Sequence, residues 1–253
     1  MDLRLFDSLE STNKYCELLD LSTVGEFTVV CAMEQTAGIG QRGNVWHSAP
    51  GKNLTFSLVL KPCFLPFEKQ YMLTKAVSLG VADCLLSLLP DGQAVSIKWP
   101  NDIYIGRRKV CGILISNRVS GSSLSSSVVG IGLNVNQTEF PEWIPNPVSL
   151  KQVTGREEAL EPLLRNVVEC IAFRYGQLQD GSEGVEKLDK EYLSKLLFRG
   201  EKRPYLLRGE RIEATIVDVN RFGHLDLTGS PGEKYTCQLK ELVFLDLAGR
   251  QVD

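Results

Sequence analysis

Between Val95 and Ile115 the chain reads Val-Ser-Ile-Lys-Trp-Pro-Asn-Asp-Ile-Tyr-Ile-Gly-Arg-Arg-Lys-Val-Cys-Gly-Ile-Leu-Ile. Pro100 has no amide hydrogen to give a sheet ladder, so the strand Val95–Ile97 must stop by Trp99. That leaves Asn101 and Asp102 at a turn with their side chains free. Gly106-Arg107-Arg108 forms a hairpin tip, and a second strand, Val110 to Ile115, returns with Lys109 at its start. The expected product is a hairpin with a carboxylate at one mouth and a lysine at the other. An anionic substrate carried with Mg2+ needs that pairing, an acid for the metal and a cation for the phosphate or carboxylate. An ordinary exposed hairpin with solvated charges has the same local pattern.

Two other stretches have unusual backbone requirements. Thr36 to Trp46 holds Gly38, Gly40 and Gly43, a loop in which the main chain can approach a ligand and offer N–H groups to phosphate. The spacing fits neither the P-loop nor the dinucleotide fingerprint, and a mobile surface loop is the competing reading. Trp46 reads as a core or loop-anchoring aromatic. Gly130-Ile-Gly132-Leu-Asn134 lies on an apolar run, Val128 to Val135, and its alternate glycines leave one strand face bare for close packing or for a ligand. Asn134 either points its amide oxygen at that site or is a core amide satisfied by backbone.

Around these stretches the hydrophobic pattern alternates between two periods. Strands are expected at Leu3–Phe6, Phe27–Cys31 and Asn53–Lys61, the last half-buried because Leu54, Phe56, Leu58 and Leu60 alternate with Thr55, Ser57 and Val59. Ser11 or Thr12 should cap a short helix carrying Tyr15, Leu18 and Leu19, either by capping alone or with the other hydroxyl facing a ligand. Apolar stripes predict helices over Lys69–Leu89, Glu157–Leu178 and Val185–Leu197, with Gly181 to Gly184 as a break. A Ser/Gly-rich turn, Ser120 to Ser127, joins the returning strand to Val128–Val135. After Phe198-Arg199-Gly200 the period becomes two. Arg203–Leu207, Glu213–Val219, His224–Thr228, Tyr235–Leu239 and Leu242–Leu245 suggest a small SH3-like barrel.

The 253 residues suffice for one good core and a smaller second one. A net charge of -3 argues against a nucleic-acid binder. The seven cysteines are odd in number and form no CxxC pair, which fits buried free thiols in a reducing cytosol. Two histidines exclude a His-rich metal site. The N-terminus lacks a signal-peptide pattern, and no apolar run is read as a membrane span. A soluble cytoplasmic protein is expected.

Taken in order, Ser11-Thr12-Asn13, the glycine loop, Lys98-Trp-Pro-Asn-Asp, Lys109-x-x-Gly112-Ile-Leu and Gly130-x-Gly132-x-Asn134 resemble a biotin protein ligase over nearly the whole chain. No helix-turn-helix precedes Leu3, which resembles the form without a DNA-binding domain. The resemblance implies an α+β fold. Residues 1–196 would be a class II synthetase-like catalytic domain, with a mixed or antiparallel sheet and flanking helices, and residues 197–253 an SH3-like β-barrel. It implies the ATP-dependent conversion of biotin to biotinyl-5′-AMP, with Mg2+ as cofactor. Biotin then passes to a lysine of a biotin carboxyl carrier domain, the enzyme being a monomer or homodimer. Lys109 would be the catalytic cation. Ser11, Thr12, Asn13, Gln35, Gly38, Ile39, Gly40, Gln41, Lys109 and Gly112 would bind biotin. Arg42, Gly43, Asn44, Trp46, Lys98, Asn101, Asp102 and Asn134 would bind ATP and the adenylate, with Asp102 and Asn134 at the metal. One departure stands out. The family loop runs Gly-Arg-Gly-Arg, and here Ile39 and Gln41 replace both arginines, leaving Arg42 as the loop's cation. The competing expectations are a lipoate or octanoate ligase of related fold and a non-catalytic biotin-binding protein.

Overall fold

The structure, a computed structural model, describes residues 1–246 and 249–252; the side chain of Arg42 lies outside the described residues. The elements are β1 (Asp2–Leu9), α1 (Thr12–Leu18), β2 (Thr28–Gln35), β3 (Leu54–Leu60), α2 (Tyr71–Leu88), β4 (Val95–Lys98), β5 (Asp102–Ile105), β6 (Arg108–Ser120) and β7 (Ser123–Leu133). There follow α3 (Leu150–Thr154), α4 (Leu160–Gly176), α5 (Gly181–Ser194), β8 (Lys202–Leu207), β9 (Glu210–Val219), β10 (Leu225–Gly229), β11 (Lys234–Cys237) and β12 (Leu242–Phe244).

The first seven strands form one sheet in the order β1-β2-β3-β7-β6-β5-β4. It is mixed: β1 and β2 run parallel and every other neighbouring pair is antiparallel. One face carries the main core, where Leu54, Phe56 and Leu58 of β3 meet Leu73, Val77 and Leu85 of α2 and Leu164, Val167 and Ile171 of α4. The helices cross closely because Gly80 of α2 has no side chain; a Cβ there would lie 2.6 Å from the Ile171 Cα. On the other face α1 covers a second small cluster built from Cys16, Val30, Val59 and Val128. The stretch Phe67–Leu88 is long and apolar enough to cross a bilayer by length and composition, contrary to the sequence reading, but 67% of that window is buried inside the protein. It is a core helix.

Several expectations need correction. The hairpin expected between Val95 and Ile115 is a three-stranded meander, because Asp102–Ile105 pairs on both sides, with β4 and with β6. β3 is buried on both faces, where half-burial was expected, because α1 covers its polar side. The Ser-rich segment is not a long turn. β6 and β7 run through it to a tight turn at Gly121, φ 62°, and Ser126 and Ser127 are buried in the ladder. Gly181 and Gly184 open α5 where a break was expected. A Cβ at Gly184 would fall 2.1 Å from the Gln177 carbonyl oxygen, so that close turn accepts only glycine. Cys63 is exposed and Cys170 half-buried; the other five cysteines are buried and free as expected.

All five C-terminal strands form, in the antiparallel order β11-β10-β9-β8-β12. Among the described residues the sheet is open, with β11 and β12 at its edges, and no closed barrel is present. It is fastened to the first sheet. Ile97 of β4 pairs with the connector, its N–H donating to Lys195 (2.8 Å) and its carbonyl accepting from Leu197 (2.9 Å). Arg199 then bridges to Ile216 of β9.

Candidate active site

The site lies on the sheet face opposite α2 and α4, and glycines make room for it. Gly112 of β6 pairs with Gly132 of β7, and Leu114 with Gly130. On this floor of missing side chains lies the Trp46 indole. A Cβ at Gly132 would fall 2.2 Å from its Cε2, and one at Gly112 2.8 Å from its Cζ3. Gly130 makes the same room for Asn13, whose Oδ1 would be 2.2 Å from an added Cβ. Of the two uses foreseen for the alternate glycines, close packing is therefore realised, by two side chains that themselves line a cleft of about 480 Å³.

At one end of the cleft the chain enters α1. Ser11 is its N-cap, its hydroxyl accepting from the Lys14 N–H. The Thr12 N–H (2.8 Å) and hydroxyl (3.1 Å) both donate to Gln35 Oε1, which fixes that amide's orientation. The Ser57 hydroxyl donates to Asn13 Oδ1 (2.5 Å), and Asn13 Nδ2 donates to the Leu114 carbonyl (3.3 Å). These are fixed donors and acceptors beside an apolar wall of Ile113 and Leu114, the composition that a neutral polar ring with an aliphatic tail requires.

The glycine loop folds over the middle as a small hairpin. Gly40 N–H donates to Asn44 O (2.7 Å), Trp46 N–H to Gly38 O (3.0 Å), and Ile39 bridges to Val45 around a one-turn 3-10 helix, Gln41–Gly43. Gln41 reaches across to the meander, its Nε2 2.8 Å from Asn101 Oδ1, and Asn101 Nδ2 donates to the Ile113 carbonyl (3.0 Å). A neutral amide bridge thus closes the loop where the resemblance leads one to expect an arginine.

At the far end Lys109 Nζ sits 2.6 Å from Asp102 Oδ2. The two charges expected at opposite mouths of a hairpin are an ion pair, because β5 brings Asp102 next to the start of β6. Lys109 is held from outside the sheet as well: its N–H donates to Asn146 O (2.8 Å) and its carbonyl accepts from Val148 (2.9 Å). Its ammonium is 5.8 Å from the Trp46 ring centroid. Asn134 lines the cleft and donates through Nδ2 to Val148 O (3.2 Å), so both readings of this residue hold in part. Lys98 is buried, with its ammonium 5.0 Å from the Phe244 ring. Beside the pair, burial pushes the Cys111 thiol far up, which keeps it protonated and chemically quiet.

Of the expected residues, Ser11, Thr12, Asn13, Gln35, Ile39, Gly40, Gln41, Asn44, Trp46, Lys98, Asp102, Lys109, Gly112 and Asn134 line this one cleft. Asn101 is buried behind its wall, Gly38 lies under the Trp46 carbonyl, and Gly43 is exposed at φ 83° in the loop's turn. The expected contact of Arg42 lies outside the described residues. Sequence reasoning missed Ser57, which alternation assigned to a solvent face. It also missed a rim of His47, Phe140, Trp143 and Ile144, with Trp143 62% exposed, and a wall of Leu242 and Phe244 from β12. The Pro-rich connection holding Trp143 carried a usable signal, three large apolar residues, Phe140, Trp143 and Ile144, on a segment whose prolines keep it out of helix and sheet.

Comparison with known proteins gives a concordant picture. Residues 5–134 match the model of the biotin/lipoate A/B protein ligase family. The bifunctional ligase/repressor BirA of Bacillus subtilis is 34% identical over 172 residues, covering 67% of this chain and 52% of that protein. The chain therefore spans about half the length of that relative. A biotin--[acetyl-CoA-carboxylase] ligase of Paracoccus denitrificans is 29% identical over 211 residues, 81% of this chain and 85% of that one. Among solved structures, the biotin protein ligase from Aquifex aeolicus in complex with biotin and ATP superposes with a TM-score of 0.77 at 28% identity. The superposition covers 95% of this chain and 97% of that one.

Proposed function

The chain belongs to the biotin/lipoate A/B protein ligase family, and from that premise we propose that it is a biotin protein ligase. The observation that carries the reading is the order of chemistry along the cleft. Along β6, the Leu114 carbonyl meets the fixed amide of Asn13, Gly112 lies under the Trp46 indole, and Lys109 near the strand's start pairs with Asp102. A neutral ureido ring, a valeryl chain and a carboxylate meeting a nucleotide phosphate have that same order. A carboxylate oxygen of biotin attacks the α-phosphorus of Mg-ATP, and pyrophosphate leaves. The amine of a carrier-domain lysine then attacks the acyl carbon of biotinyl-5′-AMP, and AMP leaves. No protein nucleophile is required; holding both reactants in line supplies much of the rate.

In this reading Thr12, Asn13 and Gln35 orient the ureido ring, and Gly112 with Ile113 and Leu114 walls the bicycle. Lys109 stabilises charge as it moves from the carboxylate to phosphorus. Mg2+ enters with the nucleotide. No cluster of three or more His, Cys, Asp or Glu occurs among the described residues, so a dedicated metal cage does not fit. One carboxylate, Asp102, with the Asn134 amide fits an ion whose remaining ligands are phosphates and water. The five-stranded C-terminal sheet takes the place of the SH3-like domain and the seven-stranded sheet that of the class II synthetase-like domain, divided near residue 197. The protein partner is the biotin carboxyl carrier domain of a carboxylase, met in the cytoplasm.

The test is pyrophosphate release from Mg-ATP with biotin or lipoate as the acid. Release with biotin alone is expected. Release with lipoate alone would assign the related lipoate ligase activity, and binding of biotin without release would make the protein a binder. Asp102→Asn keeps size and hydrogen bonding but removes charge. It is expected to raise the Mg2+ needed for half-maximal rate by about tenfold or more, with biotin affinity measured without ATP unchanged. An unaltered Mg2+ dependence would move the metal elsewhere. Gln41→Ala removes the loop's bridge to Asn101. Biotinyl-AMP should then leave about two- to tenfold faster, the worth of one neutral hydrogen bond. A parent-like dissociation rate in a stopped-flow chase would show that the backbone hairpin alone closes the loop.

A further inference from the structure

Lys75 is only 1% exposed in the second turn of α2, the main core helix. A buried ammonium is costly unless its partners satisfy it. Here Nζ makes an ion pair with Asp189 of α5 and donates to the Val219 carbonyl at the end of β9 (3.1 Å). It also lies 5.5 Å from the ring centroid of Tyr71 and 5.2 Å from that of Tyr192. The two tyrosines send their hydroxyls to one acceptor, the carbonyl of Pro100. Tyr192 Oη is 2.6 Å away, Tyr71 Oη 3.1 Å, and the hydroxyls are 2.8 Å from each other. Asn101 and Asp102 follow Pro100 directly.

The residue before Pro100 is fastened too. Trp99 Nε1 donates to the Gly223 carbonyl (3.0 Å) in the turn between β9 and β10. Gly223 has φ 84°, and a Cβ there would fall 2.3 Å from Tyr71 Cδ2, so the turn seats against the tyrosine only as glycine. The segment that carries Asp102 is therefore gripped at its tryptophan by the C-terminal sheet and at its proline by a tyrosine pair stacked on Lys75. Removing the lysine alone takes the donor from the Val219 carbonyl, so Lys75→Met carries a stability cost. Asp189 is 39% exposed, so it would not be stranded without its partner.

We infer that Lys75 is a positioning residue, whose ammonium sets the Tyr71–Tyr192 clamp on the Pro100 carbonyl and thereby the place where Asp102 meets Lys109. The catalytic half of this inference rests on the adenylation reading; the structural half does not. The variants are Lys75→Met, Tyr192→Phe and the pair together. The readouts are amide exchange at Ile103 and Tyr104 in the ligand-free protein, the rate of pyrophosphate release, and biotin affinity without nucleotide. Each single variant should speed exchange about five- to tenfold, the worth of roughly one hydrogen bond. Each should lower kcat for pyrophosphate release by a similar factor and leave biotin affinity unchanged, because the amide and hydroxyl end of the cleft is untouched. The double variant should be no worse than the worse single one, since both remove the same clamp. Parent-like exchange and turnover in the folded single variants, or additive losses, would overturn the inference. Should Lys75→Met fail to fold, Tyr192→Phe, which keeps the ring, decides by its exchange rate. If the parent itself releases no pyrophosphate with biotin, the adenylation reading fails while the exchange measurement still decides the clamp.

Discussion

Lys109→Ala is expected to slow formation of the acyl-adenylate by about a hundred- to a thousandfold, the cost of removing one preorganised charge partner from a transfer site. The expectation follows from how little freedom the side chain has. Its backbone is held on both sides, by β5 within the sheet and by Asn146 and Val148 outside it. Its ammonium is fixed 2.6 Å from Asp102 at the end of the apolar wall. A charge held there before the substrates arrive needs no reorganisation as negative charge shifts toward phosphorus. Folding should be little affected. The lysine side chain is 28% exposed and its aspartate partner 19%, and partly solvated pairs contribute modestly to stability. Single-turnover pyrophosphate release and a thermal melt on the same preparation separate the two effects. A variant that forms adenylate at the parent rate would remove Lys109 from the mechanism.

The order of elements was legible because period and punctuation are local properties. Pro100, the α2 stripe and the five C-terminal strands each appear within a few residues of their expected place. What stayed hidden depends on partners far along the chain. β5 is four residues long and lies between a proline and a glycine, so it reads as a turn until β4 and β6 flank it. Ser57 reads as a solvent position until α1, 45 residues away, covers it and the Ser57 hydroxyl meets Thr12. A wall formed by β12 cannot be inferred from β12, whose three residues look like any barrel strand. The alternate glycines did announce a bare face, but not which side chains fill it. That Trp46 and Asn13 do so follows from where the glycine loop and the start of α1 lie on the sheet, which no periodicity encodes.

Gly130→Ala is expected to lower biotin affinity by more than tenfold and to destabilise the fold by about 1–3 kcal/mol, the range for overpacking a filled site. An added Cβ would stand 2.2 Å from Asn13 Oδ1, 2.6 Å from its Cγ and 2.8 Å from its Nδ2, closer than any real contact. The asparagine has nowhere to retreat. Its oxygen accepts from Ser57 at 2.5 Å, its nitrogen donates to Leu114 O, and its residue is in the first turn of α1, only 6% exposed. Either the side chain gives up both hydrogen bonds or the start of α1 lifts from the sheet. Lifting would also pull Thr12 from Gln35 and so disturb the polar end of the cleft. Gly121→Ala is the control, since its turn has open space and costs only backbone strain at φ 62°. It should lose some stability and keep biotin affinity. Restoring room by Gly130→Ala with Asn13→Ala should recover stability but not affinity, because the space returns while the amide is gone. Calorimetric titration of biotin against the four proteins reads the affinity and thermal melts read the stability. Parent-like biotin binding in Gly130→Ala would mean that Asn13 yields without consequence, and would take the asparagine out of the binding site.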